Sequence, residues 1–165
     1  MLPVDLARIS AQHVGILKPG QFFLHRELGA TSLAMRLNEE AAWWVNFTGS
    51  KAFRLSALDH GRMTVLALGI EPERVKLRID QTSTASNFTE HRIGQLLFDE
   101  EGKAGIAVVW GDDKDPQEYK NVVRLDGWHL DSIWQPRCIF DRWALSYLDE
   151  AGQWVDLVRR EPPSA

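Results

Sequence analysis

This chain has one cysteine, Cys138, so no disulfide forms within it, and a single thiol suits a reducing cytoplasm. No apolar run is long enough to cross a bilayer. The opening residues, Met1 to Asp5, carry no basic flank followed by an apolar segment, so no secretory signal is expected and no membrane partner is assigned. Asn46-Phe47-Thr48 and Asn87-Phe88-Thr89 match the glycosylation acceptor pattern, and without a secretory signal they count as chance. No nucleophile elbow, phosphate loop or dinucleotide fingerprint is present. The histidines are His13, His25, His60, His91 and His129, and no two stand three or four residues apart, which removes helical zinc spacing. Asp112-Asp113-Lys114-Asp115 lacks the alternating oxygen ligands of a calcium loop. No metal or cofactor is expected.

Basic charge is also short. The chain carries 19 Lys/Arg against 23 Asp/Glu, a net charge of −4. The deficit is uneven: residues 1–82 hold ten bases and eight acids, while 83–165 hold nine and fifteen. Within the second half, 99–118 holds seven acids and two lysines. A protein that grips nucleic acid needs cations for phosphates, so this balance argues against a nucleic-acid partner.

What is present is strand pattern. The 165 residues are 44% hydrophobic and 25% charged, which suits one globular domain over 1–160 with a frayed tail at 161–165. Trp143, Leu145 and Tyr147 alternate with Ala144 and Ser146. A turn follows at Asp149-Glu150-Ala151-Gly152, and Val155 and Leu157 then alternate with Trp154, Asp156 and Val158. The same turn chemistry recurs at Asp99-Glu100-Glu101-Gly102 before the apolar run 105–110. Val75, Leu77 and Ile79 alternate with Arg74, Lys76, Arg78 and Asp80. Further strands are expected near 22–28, 33–37, 43–47, 53–56, 63–68 and 120–125, with 63–68 central because it is apolar on both faces. Leu2, Leu6 and Ile9 share a helical face, so Pro3 to His13 is expected to form one short helix. The fold expected is mainly β: an antiparallel meander, closed as a barrel or packed as a sandwich.

Seven tryptophans are the least ordinary feature. Adjacent Trp43 and Trp44 must face opposite sides of a strand. Trp128 and Trp134 fall in an irregular segment, where a large ring either plugs the sheet or joins a recognition surface. Cys138 follows Arg137, which would favour a thiolate if the two met, yet it opens an apolar strand, where a lone cysteine is usually a small core residue.

Two functions fit. One is a non-catalytic binding protein that meets a basic protein through Asp99, Glu100, Glu101, Asp112, Asp113, Asp115 and Glu118, anchored by Trp128 and Trp134. By charge and size alone this parallels an immunity protein neutralising a cationic toxin. The other is a barrel or sandwich whose pocket takes a small apolar ligand, or does acid–base chemistry with His25, Glu27, His129 and Asp131. His25 with Glu27, and His129 with Asp131, are two apart and share a face on a strand. Convergence of those four side chains is what a pocket requires.

Overall fold

The computed structural model describes residues 8–27, 29–39, 42–58, 62–84, 92–111, 121–131 and 135–161. Two of its hairpins are the ones marked by Asp-Glu-x-Gly. β8 (Leu96–Phe98) turns into β9 (Ala104–Trp110), and β13 (Trp143–Leu148) turns into β14 (Trp154–Arg160). In each, the glycine N–H returns to the turn's first carbonyl, Gly102 to Asp99 at 3.1 Å and Gly152 to Asp149 at 3.2 Å. Both glycines take a positive φ, 77° and 76°, which a side chain would resist. The aspartate fixes the loop. Asp99 Oδ1 accepts the N–H groups of Glu101 and Lys103, and Asp149 Oδ1 accepts that of Gln153.

The remaining strands are β1 (Ser10–His13), β2 (Phe22–Glu27), β3 (Ala30–Arg36), β4 (Ala42–Asn46), β5 (Arg54–Leu58), β6 (Thr64–Ala67), β7 (Val75–Ile79), β10 (Asn121–Arg124), β11 (Leu130–Asp131) and β12 (Cys138–Phe140). Two single 3-10 turns, Val14–Ile16 and Pro72–Arg74, lie between strands, and Arg8 is also in 3-10 conformation. Eleven strands form one sheet. Its main path runs β1-β6-β2-β3-β4-β5-β9-β10-β11, with β8 on β9 and β12 on β8. A second sheet of three strands runs β14-β13-β7. Neither sheet closes, so the barrel is not formed.

Three expectations are corrected here. The N-terminal helix is absent where its end is described: residues 10–13 pair with β6, Ser10 opposite Ala67. The meander is broken twice. β6 crosses back to lie between β1 and β2, and β5 pairs with β9 in parallel. The strand at 63–68 is therefore next to an edge, and Leu66 is 45% exposed. Phe53 also stands outside its strand, in a turn at φ 59°.

The small sheet covers the inner face of the large one. Phe22, Leu33, Met35, Val45, Leu55, Ile106, Val108 and Val123 meet Val75, Trp143, Leu145, Leu157 and Val158 in one buried cluster. Burial of each such side chain stabilises the fold by about 1.5–3 kcal/mol. The Trp143 indole fits because its N–H donates to the Gly94 carbonyl at 2.8 Å. The opposite face carries two smaller apolar clusters, one around Phe23, Trp44 and Val65 and one of Leu97, Ala107, Val122 and Ile139. Both adjacent tryptophans are thus used: Trp44 is buried on the outer face, and Trp43 on the inner face meets Trp110 edge-on at 5.0 Å.

A bulge shapes the small sheet. Leu145 pairs with Val158 but Ser146 pairs with Asp156, so Leu157 is an extra residue. Leu157 and Val158 both turn inward as a result, against strict alternation. Asp156 and Trp154 stay on the solvent side.

Candidate functional site: a cation among carboxylates

Val123 and Leu125 suggested a strand with one apolar face. The other face carries Arg124, opposite Gly105 on β9. Arg124 is buried, with its side chain 8% exposed. It donates to Asp99 Oδ2 at 3.2 Å, and lies 3.6 Å from both Asp126 Oδ1 and Asp131 Oδ2. Asp99 comes from the β8–β9 turn, Asp126 from the β10–β11 turn and Asp131 from β11. Three chain segments converge on one cation. Asp126 and Asp131 remain 45% and 38% exposed, so their charge reaches solvent. Burial works to raise the Asp99 carboxyl. The N–H groups of Lys103 and Glu101 and the Arg124 charge outweigh it and hold the group below the ordinary carboxylate range.

Around this centre, Glu101 pairs with Lys103 at 2.8 Å and Glu100 with Arg137 at 3.0 Å. The pairing with Glu101 raises the Lys103 ammonium above its ordinary range. Among the described residues, five carboxylates here meet three cations. Sequence reasoning named Asp99, Glu100, Glu101 and Asp131 but assigned Asp131 to a different site. It missed Asp126 and Arg124. A lone arginine opposite a glycine across two strands is visible only once the register is known.

Trp128 holds this loop. Its backbone N–H bonds to the Arg124 carbonyl at 3.0 Å and its carbonyl accepts the Asn38 N–H at 2.7 Å. Its φ of 58° is unusual for an aromatic residue and costs about 1–3 kcal/mol. The half-buried ring lies across Gly20, where a Cβ would fall 2.3 Å from the indole nitrogen. The partly buried ring packs against the main apolar cluster. Asp112, Asp113, Asp115, Glu118 and Trp134 lie outside the described residues.

The four residues named for a pocket are not brought together. His25 and Glu27 lie on β2. Asp131 lies on β11, with five strands between them in sheet order. His129 is exposed just before β11. His25 belongs to a buried polar strip. Asn46 Nδ2 donates to the Arg54 carbonyl and the Ser56 hydroxyl, so its Oδ1 faces the ring and His25 Nε2 donates to it at 2.8 Å. No group of three His, Cys, Asp or Glu residues with metal-binding geometry occurs among the described residues. Cys138 is exposed rather than packed in the core, at the start of β12, where Ile139 is the buried residue. Arg137 turns to Glu100.

The second polar surface is the solvent side of the three-stranded sheet. There Asp156 accepts the Ser146 hydroxyl at 2.5 Å, Arg78 at 3.2 Å and a two-pronged contact from Arg159 at 3.0 and 2.5 Å. Burial acts to raise the Asp156 carboxyl, and the Ser146 hydroxyl with the Arg159 charge overcomes it and lowers it. No helix among the described residues is long and apolar enough to cross a membrane. No protein family model, curated protein or solved structure matches the chain.

Proposed function

We propose that this chain is a non-catalytic binding protein that presents the acidic end of its large sheet to a basic protein partner. One observation carries the reading: a single buried cation, Arg124, is shared by three carboxylates, two of them open to solvent. Among the described residues the carboxylates outnumber the cations at this end of the sheet. The excess field points outward and favours a lysine or arginine from another molecule, steering its approach and setting its register. Arg124 holds the carboxylates in place, so a partner binds acids that are already ordered. Glu100 and Glu101 form the rim, and the acids of 112–118 belong to the same proposal through their charge. Such a protein acts in the reducing cytoplasm that a chain with one thiol suits.

The test is a paired capture from the native host, at low and moderate salt, with the wild-type chain and with Asp126→Asn/Asp131→Asn as baits. The wild type is expected to retain a basic protein in stoichiometric amount and release it as salt rises, and the variant to lose it. Identical partners with identical salt dependence on both baits, or no partner on either, contradicts the proposal.

A further inference from the structure

On the solvent side of the small sheet lies an open groove of about 230 Å³. Ala144 is part of its lining, with Arg78, Arg142 and Arg159 at 52%, 50% and 62% exposure. Acids line it too, but two of them are occupied. Asp80 accepts both the backbone N–H and the hydroxyl of Thr82, and Asp156 accepts four hydrogen bonds. Glu161 meets the arginines only at 3.8 and 4.0 Å. The guanidiniums are in the reverse position. Arg78 and Arg142 each place one N–H in a hydrogen bond, and the rest of each planar fork is unspent. Arg159 spends its Nε and Nη2 on Asp156, so the unspent donors of the lining belong chiefly to Arg78 and Arg142.

We propose that this groove binds a phosphate group, either as the free ion or at the end of a small organic molecule. Several guanidiniums in one groove suit a tetrahedral dianion with three free oxygens, whereas a planar carboxylate needs a single fork. The volume lies below the roughly 300–1,000 Å³ of pockets that enclose drug-sized ligands, so the bound group is small.

The experiment follows the arginine Nε–Hε resonances of the labelled full chain during titration with inorganic phosphate, then glycerol phosphate, each against sodium chloride at matched ionic strength. Arg78, Arg142 and Arg159 are expected to shift saturably with both phosphates and not with chloride. Arg142→Gln and Arg78→Gln are each expected to weaken binding about tenfold, the size of one charge-assisted contact. Tighter binding of the ester points to an organic phosphate, and tighter binding of the ion to free phosphate. Shifts that follow ionic strength alone, or wild-type binding by both variants, overturn the proposal. Two separate variants keep the proposal testable if one fails to fold.

Discussion

The two polar surfaces of this protein are built as opposites. On the large sheet, one arginine is surrounded by carboxylates from three segments. On the small sheet, one aspartate is surrounded by arginines from two strands. In each case the central group is the more buried and the surrounding groups are the more exposed. A buried ion stays charged only when partners replace its lost hydration. Where several partners share one ion, the surplus faces solvent with the sign of the partners. Among the described residues, the first cluster holds more carboxylates than cations, while the second sets Arg78, Arg142 and Arg159 among Asp80, Asp156 and Glu161.

Removing each centre tests how far the opposition extends to stability. Arg124→Met leaves three carboxylates facing each other without their cation. Breaking a buried pair costs about 3–5 kcal/mol, and the partial exposure of Asp126 and Asp131 reduces this to roughly 2–3 kcal/mol. Asp156→Asn keeps an acceptor for the Ser146 hydroxyl and releases half-exposed arginines, so its cost is about 1 kcal/mol. Urea unfolding of both variants measures the difference. Equal losses would break the comparison, because they would show that burial of the central group does not set its importance.

Acid gives a smaller and more selective difference. The carboxyls of Asp99 and Asp156 are both held below their ordinary range in the folded chain. Their contribution to stability is present above the unfolded carboxylate pKa of about 4 and is lost as pH falls through the lower folded values. Asp99→Asn keeps an oxygen for the turn N–H groups while removing the charge. Its stability is expected to fall less steeply with acid than that of the wild type, read as the slope of unfolding free energy against pH. An unchanged slope would remove Asp99 from the ionic account.

Much of this was legible in the chain and some was not, for reasons that separate local from distant pairing. The Asp-Glu-x-Gly turns announced both hairpins because the aspartate cap and the left-handed glycine are properties of five adjacent residues. The alternation of Val75, Leu77 and Ile79 placed β7 correctly against a half-buried surface. Ser10 to His13 misled: the residues are polar and mostly exposed, and only pairing with β6, some fifty residues on, makes them a strand. The parallel contact of β5 with β9 is equally non-local. The bulge beside Ser146 reversed Val158, because an inserted residue cancels the period of two. At the candidate site the acids were visible as composition, but Arg124 looked like the polar half of an ordinary strand. Its place opposite Gly105 is set by the sheet register.

The most direct test of the central claim is one labelled sample titrated in turn with a short arginine-rich peptide and with phosphate, following all arginine Nε–Hε resonances. The account predicts that the peptide moves Arg124, through the carboxylates it holds, and leaves Arg78, Arg142 and Arg159 in place, while phosphate does the reverse. The same set of resonances responding to both ligands would contradict it, since the two surfaces would then have no opposite selectivity.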